Sequence, residues 1–238
     1  MTNLIIGASS EIAQSITRQL LSSGEVVHGI SQHPQPAQVP HDQNLHWWIC
    51  HYGESHIEQL VESLQETITE PISRVVICNG QLHGDGLVVE KRLQDLQESS
   101  FHQIINSNAL VPLLWLRALL PWLSKQECKI AVFSARVGSI EDNKLGGWYS
   151  YRASKAALNM LLKTAAIEYS RRAKKIKLMA FHPGTTDTPL SKPFQANVAE
   201  SKLFEPEFVA KRLLEIMESL HIDGELSYLD WAGEPIRW

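Results

Sequence analysis

Leu4-Ile5-Ile6-Gly7-Ala8-Ser9-Ser10-Glu11-Ile12-Ala13 is the stretch that decides how this chain folds. Three apolar residues read as a buried strand, Gly7 permits a tight turn, and Ile12, Ile16 and Leu20 recur at spacing four along a helix from about Ser10 to Ser22. A strand that passes through a turn of small residues into a helix leaves free N–H groups at the helix N-terminus, a natural seat for an anion. Ser9 and Ser10 add hydroxyls and are expected to cap the helix, and Ala13 is small enough for helix to pack closely on strand. Glu11 is the departure, because a glycine there would let an anionic group approach the backbone and a carboxylate opposes it.

The same alternation continues outward. Gly24 stops the first helix and Val26–Ile30 reads as a second strand; residues 31–44, with Pro34, Pro36 and Pro40, form a loop. Leu45–Cys50, Val75–Cys78, Ile130–Phe133, Ile176–Phe181 and Leu226–Leu229 are further strands. Helices are expected at Ile57–Ile68, Ser99–Leu123, Tyr149–Arg172 and Glu207–Leu220. Strands separated by helices imply right-handed crossovers and a parallel sheet covered on both faces. The expected fold is therefore α/β: a three-layer, doubly wound Rossmann arrangement of about seven strands. No composition break, repeat or low-complexity tract divides residues 1–238, so a single domain is expected.

Composition narrows the function classes. A net charge of −4 gives no basic bias toward nucleic acid. The three cysteines, Cys50, Cys78 and Cys128, lie far apart and suit a reducing compartment rather than a disulfide framework or a zinc site. Ten histidines are present, none in a paired metal-ligand spacing, so no metal is expected. The opening residues lack a basic n-region and a long apolar core, and no run of about 18 apolar residues suggests a membrane span. The expected location is cytoplasmic.

Chemistry concentrates in Ser134-Ala135-Arg136-Val137-Gly138-Ser139 and in Gly146-Gly147-Trp148-Tyr149-Ser150-Tyr151-Arg152-Ala153-Ser154-Lys155. Tyr151 and Lys155 stand four apart near the start of a helix and share one face. A cation about 4 Å from a phenol, at an effective dielectric near 20, contributes roughly 4 kcal/mol, or about three pKa units. The pair is thus expected to bring the phenol into range for acid–base work at neutral pH, as reversible hydride transfer at a carbonyl or alcohol needs.

With these residues in view, the chain resembles the short-chain dehydrogenase/reductase family over essentially its whole length. Ser134–Ile140, the Gly-Gly-Trp-Tyr-Ser-Tyr-Arg run at 146–152 and the C-terminal Leu229–Trp238 resemble its C-factor and sniffer-like carbonyl reductases. The resemblance implies an NAD(P)-dependent oxidoreductase with Tyr151 as acid/base and Lys155 binding the nicotinamide ribose and tuning the tyrosine. It implies that Asn108, four before Pro112, helps hold a proton-relay water. The family's substrate-orienting serine falls on Ala135, which leaves Ser134 or Ser139; Ser134 is preferred because it ends a strand.

Cofactor contacts are expected from Gly7, Ser9, Ser10, Ile12, Ser31, Asn79, Gly80, Tyr151, Lys155, Pro183, Gly184, Thr186 and Thr188. The second strand ends Ser31-Gln32-His33 with no carboxylate to bind a ribose 2′-hydroxyl, which favours NADP(H) over NAD(H). Cys50 stands where the family usually has an aspartate against adenine. Residues 185–206, with Pro189, Pro193 and Phe194, are the expected substrate lid, and Trp148 is a candidate pocket residue. The two long helices are apolar on more than one stripe and imply a homodimer or homotetramer paired through them. The alternative reading is a catalytically weak dinucleotide-sensing or signalling protein on the same fold, which Glu11, Ala135 and Cys50 would suit.

Overall fold

The computed structural model describes residues 1–84, 86–87 and 89–238. In chain order its larger elements are β1 (Thr2–Ile6), α1 (Glu11–Ser22), β2 (Val26–Ser31), β3 (Leu45–Ile49), α2 (Glu54–Thr67), β4 (Ile72–Ile77), α3 (Glu98–Ile105), α4 (Val111–Leu123), β5 (Cys128–Phe133), α5 (Tyr149–Arg172) and β6 (Ile176–His182). There follow two short strands, β7 (Thr185–Thr186) and β8 (Leu203–Phe204), then α6 (Pro206–Ser219) and β9 (Leu226–Asp230). Among the described residues the main sheet has seven strands in the order β3-β2-β1-β4-β5-β6-β9, paired in parallel throughout. This is the expected doubly wound fold, with a helix-free connection between β2 and β3 where the prolines cluster.

Each central strand is apolar on both sides because both sides are covered. Leu4 and Ile6 of β1 join Ile57 and Leu64 of α2, Trp115 and Leu119 of α4 and Leu158 and Leu162 of α5 in one core. Ile5, between them in sequence, faces the opposite layer with Ile16 of α1, Phe181 of β6 and Leu213 of α6. The period-two alternation of a strand thus distributes consecutive residues between two cores.

The predicted helix Ser99–Leu123 is a single rod in outline but not in hydrogen bonding. Between α3 and α4 the segment Asn106–Leu110 takes a π-helical turn. Pro112, near the start of α4, has no N–H to give to the carbonyl of Asn108 four residues earlier, so the regular ladder breaks there. From Glu98 to Leu123 the rod is long and apolar enough to cross a membrane by length and composition alone, which the sequence reading did not expect. Half of its most apolar window is buried, and Trp115, Leu116, Leu119 and Leu123 lie in the core, as in a packed helix of a folded domain.

The last sequence-based difference lies at 185–206. Instead of one long loop, β7 and β8 pair in parallel and close the base of an excursion that carries turns at Lys192–Asn197 and Glu200–Lys202. Gly184 makes the closure possible: at φ +74, an added Cβ would lie 2.6 Å from the Phe204 ring.

Trp115 is fully buried and packs edge-on against Tyr52, with ring centroids 5.9 Å apart, while its indole N–H has no hydrogen-bond partner. Trp115→Ala is expected to lower unfolding free energy by about 3–5 kcal/mol. Trp115→Phe, which keeps an aromatic filler and removes the unpaired N–H, should cost clearly less. Urea unfolding midpoints of the two variants check this order.

Candidate active site

At the C-terminal edge of the sheet the strand order reverses between β1 and β4, and the chain leaves these neighbours in opposite directions. Gly7 turns there at φ +76, and an added Cβ would sit 2.8 Å from the Asn79 nitrogen, so only glycine lets the two turns approach. The Gly7 N–H reaches the Ile30 carbonyl at 2.9 Å and the Tyr52 hydroxyl at 3.0 Å, which ties the turn to β2 and to the start of α2. Ser10 occupies the N-cap position of α1, but its side chain makes no capping bond, contrary to the sequence expectation. Its hydroxyl is left to line the cleft.

Three adjoining recesses follow this edge. The first, about 350 Å³, is lined by Gly7, Ser10, Gln32, His33, Tyr52 and Asn79. The second, about 370 Å³, brings together Ser9, Ser10, Ile12, Asn79, Gly80, Ser134, Tyr151, Lys155, Pro183 and Thr188. The third, about 310 Å³, lies beyond Tyr151 and is lined by Gly184, Thr186, Trp148, Phe194, Leu82 and Val137 among others. Residues expected from four separate stretches of sequence therefore meet in one cleft.

Tyr151 and Lys155 project from the first two turns of α5, and the Lys155 nitrogen lies 5.8 Å from the centre of the Tyr151 ring. Gly138 lets this helix come close: a Cβ there would be 2.8 Å from the Lys155 backbone. The lysine is buried and donates to the Phe133 carbonyl at 2.8 Å. Burial pulls its pKa down to about 8. Burial, with a smaller contribution from Tyr228, pushes the Tyr151 phenol above its ordinary value. This corrects the expected downward shift: the desolvation of a phenolate outweighs a neighbouring cation that is itself desolvated and held by a carbonyl. The phenol is consequently in its proton-donating form at neutral pH.

The two serines separate. Ser134 lines the cleft and donates to Asn159 Oδ1 at 2.6 Å. Ser139 is buried at the end of a short turn, where its oxygen accepts the Asp142 N–H at 3.1 Å. Ala135 packs with Tyr151 and Leu82, and its carbonyl accepts the Tyr228 hydroxyl at 2.7 Å. Asn108, in the π-helical turn, is fully buried. Its amide donates to the Gln81 carbonyl and to Ser154 Oγ, and its oxygen accepts the Gln81 N–H at 2.6 Å. Above Gly80, a Cβ would stand 3.5 Å from both Asn108 Oδ1 and Lys155 Nζ, so the missing side chain leaves the two groups facing one space.

Ser31 is buried and its hydroxyl accepts the His33 N–H, so Gln32 and His33 line the first recess in its place. Cys50 is buried with its thiol pushed up to about 11. Tyr52, which the sequence reading missed, carries no local motif; it acquires its place only when β3 pairs with β2. Asn159 was more accessible to reasoning, being a polar residue one turn beyond Lys155, where the buried face of α5 turns apolar with Leu158, Leu162, Ala165 and Ala166. Among the described residues no group of three His, Cys, Asp or Glu side chains gathers as a metal site.

The cleft fits an extended dinucleotide. Ser9, Ser10, Glu11 and Ile12 line it at the start of α1, where the first N–H groups of a helix have no intrahelical acceptor, and Asn79 Oδ1 is buried without a partner at its wall. Glu11 is the unfavourable element. Exposed at the first position of α1, it has its pKa raised by partial burial and by Asp187 and Glu207, with Lys192 opposing.

A doubly wound α/β sheet with such a cleft at its switch point is the architecture of dinucleotide-binding enzymes. Residues 2–199 match the family model described as short chain dehydrogenase, and the chain belongs to that family. It is 29% identical over 239 residues to the 1-hydroxy-2-glutathionyl-2-methyl-3-butene dehydrogenase of Rhodococcus sp., covering 97% of this chain and 99% of that protein. Its fold is similar to that of the carbonyl reductase Sniffer of D. melanogaster (TM-score 0.86, 18% identity, 100% and 99% coverage). It is also similar to an NADPH-bound carbonyl reductase from chicken fatty liver (TM-score 0.85, 22% identity, 100% and 98% coverage).

Lys155 and Glu11 both line the cleft, which makes the pH dependence of cofactor affinity a test of where the cofactor binds. Deprotonation of Lys155 removes the cation, so affinity for NADPH is expected to fall as pH rises through about 8. Glu11→Gln removes a negative charge from the start of α1 and should tighten binding several-fold, with wild type approaching the variant as acid protonates Glu11. Calorimetric titration with NADPH across pH and salt measures both.

Proposed function

We propose that this chain is an NADP(H)-dependent reductase that moves a hydride between the nicotinamide cofactor and a carbonyl or alcohol substrate, with Tyr151 as the general acid/base. The observation that carries the reading is the meeting of Tyr151, Lys155 and Ser134 in one cleft with the first residues of α1. The bound cofactor supplies the hydride. Tyr151, held as a neutral phenol by burial, gives its proton to the carbonyl oxygen in the direction of reduction. Lys155 holds the cofactor's ribose and replaces the proton through the polar groups that converge over Gly80, of which Asn108 is one.

Ser134 orients the substrate oxygen by turning its hydroxyl from Asn159, a rotation that a hydroxyl makes freely. Pro183, Gly184, Thr186 and Thr188 border the nicotinamide end, where β7 and the lid begin. Preference for NADP(H) is supported by the first recess, which offers Gln32 and His33 at the end of β2 and no carboxylate there. The substrate named for the Rhodococcus relative carries a glutathionyl group; this reading takes from that protein only redox chemistry at an alcohol carbon.

A homo-oligomer in the cytoplasm completes the reading. The thiols of Cys50, Cys78 and Cys128 are free. Leu110, Met160 and Ile167 are exposed along the π-helical turn and α5, beside the half-buried Leu113, Leu114 and Leu161. Such a face is best covered by its own copy across a two-fold axis. Sedimentation at micromolar concentration is expected to show a dimer or tetramer, and a lone monomer species would remove the oligomer.

The main test follows NADPH and NADH separately, by thermal stability and by absorbance at 340 nm against a panel of ketones and aldehydes. NADPH should give the larger stabilisation and support turnover. Tyr151→Phe should abolish turnover, by at least about 100-fold, while keeping NADPH stabilisation. Unchanged turnover in that variant would discard the assignment, and binding without turnover in wild type would favour the sensing alternative.

A further inference from the structure

Ser134 is wanted as a hydrogen-bond donor to the substrate, yet its proton is already engaged. Its hydroxyl donates to Asn159 Oδ1 at 2.6 Å, a length suited to an O–H···O bond, and both residues are 3% exposed. Turning that proton toward a substrate would leave Asn159 Oδ1 a buried acceptor without a donor, which is costly out of water. The other half of the same amide is in the opposite condition. Asn159 Nδ2 is buried and has no hydrogen-bond partner among the described residues.

The surroundings fix where the two side chains sit and leave the amide one freedom. Asn159 stands on the buried face of α5, one turn beyond Lys155 and two beyond Tyr151. Ser134 follows directly on β5, and its N–H reaches the Phe181 carbonyl of β6 at 2.8 Å. The backbone after it is held as well, because Tyr228 of β9 donates its hydroxyl to the Ala135 carbonyl at 2.7 Å. Burial pushes the Tyr228 phenol up, and the nearness of Asn159 and Ser134 opposes the push. An amide, by contrast, carries its oxygen and nitrogen in nearly the same volume, and a half-turn about its last torsion exchanges them. After that half-turn Nδ2 donates to Ser134 Oγ, and Oδ1 takes the place in which Nδ2 had no partner. With a carbonyl oxygen present, two hydrogen bonds then stand where one stood.

We propose that Asn159 is a positioning residue that acts through Ser134: as the carbonyl enters, its amide changes from acceptor to donor and releases the Ser134 proton to the carbonyl oxygen. Ser134 and Tyr151 border the same two recesses, so an oxygen between them meets two donors. A hydroxyl that itself accepts from Nδ2 is the stronger donor to the charge that develops on that oxygen. The inference rests on the reductase reading and adds to it a residue that does not itself touch the substrate. The chemistry is unchanged: hydride from NADPH adds to the carbonyl carbon, the Tyr151 proton adds to oxygen, and Ser134 keeps its own proton throughout.

Kinetics with NADPH and the full chain test it, on the ketone or aldehyde of the panel that wild type reduces fastest. Asn159→Asp keeps the shape but, when ionised, only accepts, and so retains the Ser134 proton. Its kcat should fall by at least about tenfold in mildly alkaline buffer. As pH falls the buried carboxyl takes up a proton and can donate, so the ratio of variant to wild-type kcat should climb toward one. Asn159→Leu neither accepts nor donates; it should lose kcat several-fold, with a ratio to wild type that is flat in pH. In a Ser134→Ala background neither substitution should lower kcat further, because the route through Ser134 is already gone. NADPH-induced thermal stabilisation close to that of wild type shows that each variant is folded, and Asn159→Leu carries the test if the buried carboxylate prevents folding. Losses at Asn159 that persist undiminished without the Ser134 hydroxyl, wild-type kcat in the folded Asn159 variants, or an Asn159→Asp ratio that does not rise toward acid would overturn the role of Asn159 and leave the reductase reading standing. Failure of wild type to reduce any carbonyl of the panel would overturn both.

Discussion

The approach of the turn after β1 to the turn after β4 is the constraint on which the site depends. At Gly7 the two backbones come so near that a single Cβ would lie 2.8 Å from the Asn79 nitrogen. That proximity places the start of α1, the Asn79 amide and the Gly80 gap on one wall. It also leaves an open crevice, because the connections from β1 and β4 depart toward opposite ends of the sheet. β5 and β6 then deliver Ser134 and Pro183 to the same edge, since parallel strands present all their C-terminal ends together.

Within this frame, burial rather than charge pairing governs the proton affinities of Tyr151 and Lys155. Lys155 is 3% exposed and Tyr151 9%, so each ionised form would surrender most of its hydration. Spacing on the helix brings the two side chains onto one face, but the Phe133 carbonyl holds the ammonium against β5. The effect favours a protonated tyrosine and a lysine poised within reach of neutral pH. A pair in this state holds the proton that the proposed reduction requires.

The third recess draws its walls from segments far apart in sequence. Glu90 precedes α5 by nearly sixty residues in sequence, yet it fastens the first turn of that helix and the αL tryptophan before it. Phe194 arrives from the opposite direction, on an excursion closed at its base by β7 and β8 and by the packing of Phe204 over Gly184. Glu90 holds the backbone on both sides of Tyr149, where Trp148 keeps its left-handed conformation.

Much of this was legible in the residues themselves. Strand alternation, helix spacing and the small-residue turn at Gly7 specify a doubly wound sheet, because each rests on local periodicity and on what a glycine alone permits. Tyr151 and Lys155 could be paired for the same reason: four residues on a helix is a fixed geometry. Asn108 was marked by the family resemblance and not by any local pattern, and the structure places a π-helical turn there. Tertiary structure alone decided that Ser134 and not Ser139 borders the cleft, that Tyr52 and not Ser31 shapes the first recess, and that the phenol is shifted up rather than down. Each of these depends on which groups from distant segments exclude water from one another. Periodicity along a chain carries no information about that.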